Sequence, residues 1–506
     1  MRRTSFRLFL AACLMVAVAA CGDSSGSDSE SPRTEIAPGT GATVRWGTSS
    51  MPTSLDPATS GGAAYSVFMW LLYDRLVYAE PNGELQPMLA TEWVLSDDAR
   101  TLDLTLRDGV TFQDGAPFDA DAVVTNIAHM MDDSSLTAGS LAMVDDVKAV
   151  DPTHVRFTLN RPGGDLPQVL SGFAGMMVSP ASIEAGTAST DPVGAGPYKI
   201  GTVSDASISF TYWDGYWDAE SIIPKAVEVS VLTDDAARLN GLKAGQLDAA
   251  IIRPNQLAEA EAASLKTYSV PAATAYGVQV NAANPALSDP DVRRAISQAI
   301  DRESITQYLY DGECEVSAQP YPSDYWAHNG DIDEETYTAF DPDAAAAAIE
   351  KAAPDGLSLT ILTPNVTAYQ RLSEVLQEQL ADVGIDAAVE AVDYADLLAR
   401  GRRGDYDLIV TLMTSGGPDP STWAEQNYRV SPAGSDYIDP RLPELIEQAR
   451  TSVDLEDRGE AMGKVTEAAL EAGTNQIVVC LPSNTFASVA NATGFKINDP
   501  RALRVD

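Results

Sequence analysis

Histidine and cysteine are nearly absent from this chain of 506 residues, which has three and four of them. His129, His154 and His328 are too scattered to form a local metal motif, and no CxxC pair, HExxH helix or EF-hand loop occurs. Neither GxSxG nor a P-loop is present, so nucleophilic hydrolysis and nucleotide binding have no support in the sequence. Gly194-Ala195-Gly196-Pro197 lacks the GxGxxG spacing and the following helix that phosphate binding needs, and reads as a glycine-hinged strand entry. Acidic pairs such as Asp97-Asp98 and Asp145-Asp146 read as solvated loop charges rather than a carboxylate dyad. Positive charge is scarce too: 33 Lys and Arg stand against 73 Asp and Glu, a net charge of −40. Such a surface repels phosphate backbones and excludes nucleic acid as a partner. No catalytic residue, metal ligand or cofactor is assigned from these absences.

At this length two or three domains are expected, and 45% apolar content is ordinary for globular chains. The N-terminus is the exception. Arg2, Arg3 and Arg7 precede an apolar run from Leu8 to Ala20 that is short for a membrane span. The run ends Val18-Ala19-Ala20-Cys21-Gly22, which resembles the lipobox of bacterial lipoproteins. That resemblance implies a lipoprotein signal over 1–21 with cleavage before Cys21, acylation of the Cys21 thiol and an extracytoplasmic chain anchored to the cell membrane. Residues 22–42 are rich in Ser, Gly, Asp and Pro and read as a disordered tether spanning about 25 Å. Cys13 leaves with the signal, so Cys314 and Cys480 remain as either a disulfide or two separate buried thiols.

The stretch Leu72–Asn126 carries the most pattern. Leu102, Leu104 and Leu106 alternate with Asp103, Thr105 and Arg107, the period of a half-buried strand. Asp108-Gly109 then reads as a turn, with Val110 and Phe112 resuming the strand, and Pro117 with Asp119 and Asp121 opens a helix. Further strands are expected at 44–51, 155–159, 208–212, 226–231, 247–252, 278–281, 357–362, 406–413 and 476–481. Helical spacing covers 65–76, 234–244, 341–351, 371–383, 442–450 and 455–472. The clearest helix starts at Asp289-Pro290, with Val292, Ala295, Ile296, Ala299 and Ile300 on one face and Arg293 and Arg294 outside. The second half alternates helix and strand, an α/β pattern. Tyr321, Tyr325, Trp326 and Trp423 fall on expected loops, where rings line a binding cleft or plug a lobe's own core.

Several blocks then line up in order. LDPA at 55–58, the Leu72–Asn126 stretch, GAGPYKI at 194–200, WDGYW at 213–217, VQVNAANPALSDPDVRRAISQAIDRE at 278–303, PYPSDYW at 320–326, YDLIVTLM at 406–413 and PDP at 418–420 together resemble the peptide/nickel-type solute-binding proteins (family 5) of ABC importers. The resemblance implies an α/β fold of the periplasmic-binding-protein type: two lobes joined by a hinge plus an inserted β-rich lobe. Lobe I would comprise 43–75, 194–280 and 484–506, lobe II 76–193 and lobe III 281–483. Solute would be enclosed between lobes I and III. The ligand contacts expected are Met51, Tyr65, Tyr276, Asn281, Tyr325, Trp326, Ser415, Gly416, Asp419 and Trp423, with Tyr276 and Asn281 at the crossover between lobes. Cys314 and Cys480 would both fall on strands at the end of lobe III.

One departure matters. Dipeptide-binding relatives carry an aspartate shortly before the Asp-Pro step, pairing with the ligand's α-ammonium group; here Ser415 or Gly416 stands there. Either Asp419 substitutes or the ligand is not a free-amine peptide. The implied function is a monomeric, non-enzymatic lipoprotein that captures a peptide-like or oligosaccharide-like solute and hands it to permease subunits. The rival readings are a secreted hydrolase using cleft carboxylates, and a sensor or chaperone without transport.

Overall fold

The computed structural model describes residues 43–60, 65–219, 224–414 and 419–489. The signal and tether with Cys21, positions Ser415 and Gly416, and the chain from 490 lie outside the described residues. Strand β1 (Thr43–Thr48) leads to a helix at Ser66–Leu72. β2 (Val77–Ala79) and β3 (Leu85–Pro87) form a hairpin, and β4 (Ala90–Leu95), β5 (Thr101–Leu106), β6 (Val144–Asp151) and β7 (His154–Leu159) form an antiparallel sheet in the order β4-β5-β7-β6. In β5 the leucines Leu102, Leu104 and Leu106 are buried and Asp103 and Thr105 are not, as the alternation requires.

Past Gly109 the expected strand does not resume. Thr111 makes one isolated bridge to Pro117, and Phe112 instead packs edge-on against Phe118, ring centroids 5.9 Å apart. The turn brings the chain into a helix at Ala120–Met130, whose cap is Asp119, accepting from the Ala122 N–H at 3.0 Å. Val123, Ile127 and Met130 of that helix join the β5 leucines in one apolar core.

The remaining strands make one twelve-stranded mixed sheet. β8 (Tyr198–Val203), β9 (Ser207–Tyr212), β10 (Ala226–Val231), β11 (Ala249–Ile251) and β12 (Lys266–Pro271) accompany β1 on one side. β13 (Ala275–Val280), β14 (Cys314–Glu315), β15 (Leu357–Pro364), β16 (Ile385–Val392) and β17 (Leu408–Met413) lie on the other. β18 (Gln476–Ser488) joins them, running well past the expected end at 481. Its first half pairs with β13 and β14, its second with β11 and β12. β18 is buried along most of its length because it has neighbours on both edges.

Glycine at 194 and 196 serves this packing. A Cβ on Gly194 would lie 2.1 Å from the Leu72 carbonyl oxygen, and one on Gly196 2.5 Å from the Leu72 carbonyl carbon. The strand entry thus abuts the helix end directly, the structural role expected for this motif.

Separate apolar cores fill the two sides. One gathers Trp46, Phe68, Phe210 and Val229; the other gathers Val278, Ile296, Ile361, Leu376 and Val410. In the Pro290–Gln298 helix the apolar face is buried as its periodicity predicts, but Arg293, expected outside, is 3% exposed. Its guanidinium donates to the carbonyls of Gly473, Ala472, Leu287 and Ser288, satisfying a helix end that would otherwise be left unpaired.

Candidate functional site

The described chain passes between the two sides of the large sheet twice: from β12 to β13 through residues 272–274, and along β18 where pairing changes at Pro482/Ser483. Parallel strands on both sides end near these passages. β1 runs parallel to β10 and β11, and β15 runs parallel to β16 and β17. Crevices outside the carboxyl ends of parallel strands, where strand order changes, are where open α/β sheets bind ligands. Met51 follows β1, Arg253 follows β11, and Tyr369 follows β15.

Tyr276 stands at the centre. It sits opposite Leu412 near the carboxyl end of β17 and opposite Cys480 on β18. Its ring stacks on Tyr310 (4.9 Å, 13°) and meets Tyr369 edge-on at 6.0 Å. Burial raises the Tyr276 phenol above its usual range, opposed by Arg253, whose field reaches both Tyr276 and Tyr369. Burial pushes Tyr369 up to about 12, so these phenols stay neutral near pH 7. The Tyr310 hydroxyl is buried without a hydrogen-bond partner among the described residues, which leaves an open donor and acceptor beside the stack. Cys314 and Cys480 are disulfide-bonded with Cα atoms 5.5 Å apart, tying the chain after Tyr310 to β18 opposite Tyr276.

A second cluster lies in the adjoining core. Tyr321 stacks on Tyr325 at 5.8 Å, Tyr325 meets Trp326 at 5.9 Å, and Arg458 lies 4.8 Å above the Trp326 ring. Trp423 is on a helix (Pro420–Asn427), not the expected loop, and packs edge-on against Tyr428. Tyr325 and Trp423 are both buried in this core.

Asp419 is fully buried. One carboxylate oxygen accepts from the Ser421 N–H and hydroxyl, and the other takes Arg458 at 2.7 Å. Both oxygens are committed, so Asp419 is no counter-charge for a ligand ammonium. Asn281 is also engaged by the fold through its amide. It lies five residues beyond Tyr276, about 16 Å at a strand's rise, and its amide holds the carbonyls of Gly404 and Tyr406. Met51 and Tyr65 are half-buried, Met51 packing on the β1 core and Tyr65 preceding the Ser66–Leu72 helix. The structure therefore gathers Tyr325, Trp326, Asp419 and Trp423 around one core and sets Tyr276 in another. Tyr310, Tyr369 and Arg253 are additions to the expected set. The signal available for Tyr369 and Arg253 was their place just after strand carboxyl ends.

The second cluster also touches the segment 82–168. The backbone N–H of Trp326 donates to the Asn82 carbonyl at 3.2 Å, and the Gly164 N–H to that of Arg450 at 2.7 Å. Asp165, fully buried, pairs with Arg161 at 3.0 Å, accepts from the Thr422 hydroxyl at 3.1 Å and lies 3.9 Å from Arg450. Burial alone would raise the Asp165 carboxyl, yet Arg161, Arg450 and Arg458 together hold it below the usual carboxylate range. Among the described residues no group of three or more His, Cys, Asp or Glu could hold a metal ion, and no helix is long and apolar enough to cross a membrane.

Comparison with known proteins places this geometry. The model of the family described as bacterial extracellular solute-binding proteins, family 5, matches residues 84–435. A relative named probable di/tripeptide-binding protein 5, from Pseudomonas aeruginosa (strain UCBPP-PA14), is 27% identical over 499 residues, covering 90% of each chain. Two solved structures share the fold. The binding protein AgaA of A. tumefaciens R10, in complex with agropinic acid, superposes with a TM-score of 0.78 at 22% identity, over 92% of this chain and 98% of its own. DppA of Helicobacter pylori, in complex with the peptide STSA, gives 0.77 at 21% identity, over 92% and 97%.

Proposed function

Because the chain belongs to the bacterial extracellular solute-binding proteins of family 5, we propose that it captures a peptide or peptide-like solute at the sheet crossover and delivers it to the permease subunits of an ABC importer. The family is one of binding proteins, not enzymes. The observation that carries the reading is the convergence of two sets of strand carboxyl ends on the Tyr276–Tyr310–Tyr369 cluster and Arg253, at the two passages where the sheet can hinge. In this reading lobe I (43–75, 194–280 and 484–506) and lobe III (281–483) close on the solute, and lobe II (76–193) is carried with lobe I.

The rings stack on flat or apolar parts of the solute, the Tyr310 hydroxyl supplies a hydrogen bond, and Arg253, whose Nε pairs with Asp235 at 3.0 Å, accommodates a carboxylate through its terminal nitrogens. With Asp419 committed to Arg458 and no acid at 414–418, the solute is not recognised through a free α-ammonium group. The relative's printed di/tripeptide specificity supports a solute of peptide size. Cys21 carries the lipid that holds the monomeric receptor at the outer face of the membrane, with 22–42 as its tether.

The test begins with native mass spectrometry of protein from its own host, to identify the bound solute. Titration calorimetry with that solute and Tyr276→Ala should show at least a tenfold loss of affinity. Among short peptides, N-acetylation should change affinity by less than about threefold. A hundredfold loss on acetylation, or unchanged binding by the Tyr276 variant, refutes the assignment.

A further inference from the structure

On the β13–β17 side of the sheet, away from the crossover, a cavity of about 260 Å³ opens between the Pro290–Gln298 helix, the start of the Arg302–Leu309 helix and the end of the Leu455–Glu471 helix. Its lining includes Arg293, Arg294 and Arg302 and contains no Asp or Glu. That is against the grain of a chain with more than twice as many acidic as basic residues.

Arg293 and Arg302 are each 3% exposed, and neither has a carboxylate within ion-pair distance among the described residues. Burial pushes both down to about 10, partly offset by the fields of Asp289 on Arg293 and Glu334 on Arg302. Glu334 itself is taken by Ser317, Ala318 and Gln319.

A guanidinium has five N–H donors. Arg293 gives four to carbonyls. Arg302 donates through Nε to Val478, through one terminal nitrogen to carbonyls and through the other to the Ser297 hydroxyl, leaving one hydrogen of that last nitrogen unused. Arg294 is bound to Asp291 and to the Glu471 carbonyl through one hydrogen each. Capping the helix end therefore uses only part of the donor set. Each of the three side chains keeps at least one N–H for a further acceptor, and all three border one cavity. Leu470, Ile477 and Val478 supply an apolar wall.

We propose that this cavity binds a small organic oxyanion bearing two or more carboxylate or phosphate groups, at a site separate from the solute cleft. Buried cations gain most from a multivalent anion because desolvation has already been met by the fold. The volume is near the lower end for ligand pockets, about 300 Å³, and exceeds what one inorganic ion needs.

The experiment titrates the purified full chain with citrate and, separately, with inorganic phosphate, by calorimetry and thermal unfolding, holding ionic strength constant with sodium chloride. Saturable one-to-one binding of citrate, tighter than phosphate, is expected. Arg294→Gln, on the accessible rim, should weaken citrate about tenfold without changing the unfolding temperature in chloride alone. Ala318→Leu, which narrows the cavity without touching an arginine, should weaken it similarly. Tyr276→Ala should leave citrate binding intact, so this site and the solute cleft fail or stand independently. Stabilisation equal to that by chloride, citrate affinity unchanged from wild type in either cavity variant, or loss of citrate binding in Tyr276→Ala each overturns the proposal.

Discussion

His129 and Asp56 illustrate how single residues hold the β-rich segment to the chain around it. The imidazole Nε2 lies 2.9 Å from the Asp56 carboxylate. The hydrogen bond to Asp56 raises the His129 pKa, against a smaller opposing effect of burial. A folded value above the unfolded one means the pair's stabilisation is complete below about pH 6.5 and is lost as pH rises through the folded value. Urea unfolding of wild type and His129→Gln should therefore differ most at pH 6 and converge by pH 9. At this scale the sequence was a partial guide. It singled out Tyr276 and the aromatic residues 321–326 and 423 but left cleft and core open for the latter, and periodicity alone could not show that Arg293 turns inward to cap a helix. Nor could it show that Asp419 is consumed by Arg458. Both outcomes depend on groups 180 and 39 residues away.

At the scale of elements, β18 is the member that both sides of the sheet share, and the Cys314–Cys480 bond fixes its first half beside Tyr276. The bond closes a loop with a sequence separation of 166, so its removal frees a large unfolded ensemble. Cys314→Ser with Cys480→Ser should lower unfolding free energy by about 2–5 kcal/mol, measured by denaturant titration. Affinity for the solute should fall as well, because the Tyr276–Tyr310 stack loses its nearest covalent support. The strand entry at 194–196 allows a second check. Gly194→Ala puts a methyl group against the Leu72 carbonyl, and a loss of about 1–3 kcal/mol is expected from such overpacking. Alternation and capping made the elements themselves legible. Asp119, Asp289 and Asp341 cap the helices that follow them because a short acidic side chain reaches the free N–H groups. Where the sequence reading overreached, as at Val110–Phe112, an apolar pair read as a resumed strand makes a single bridge, Thr111 to Pro117, and its side chains plug a core.

At the scale of the whole molecule, the contacts between residues 82–168 and 326–458 are the ones that, under the proposed closure about the two passages, restrain opening. Asp165 is their charged centre. Asp165→Asn keeps the shape but leaves Arg161 and Arg450 facing a neutral group. Since losing one partner of a buried ion pair costs about 3–5 kcal/mol, the closed arrangement should become less populated. Small-angle scattering should show a larger radius of gyration for the unliganded variant than for wild type, and solute affinity at least tenfold weaker. A variant as compact as wild type would show that these contacts do not restrain closure. The Asp165 carboxyl is held low by its arginines, so its contribution is complete above about pH 4 and is lost only on acidification below that.

The sequence by itself determined the elements and the family. Period-two and period-3.6 patterns, capping aspartates and the ordered blocks from LDPA to PDP are short-range features, each set by steric and hydrogen-bonding preferences within a few residues. The proposed cleft is legible only in three dimensions. Tyr276, Tyr310 and Tyr369 lie on separate elements and meet only after packing, Tyr276 on a strand flanked by β17 and β18. Burial then settled which charges are spent on the fold and which remain for a ligand. That division depends on the dielectric and the partners each group finds after packing, and no local pattern encodes it.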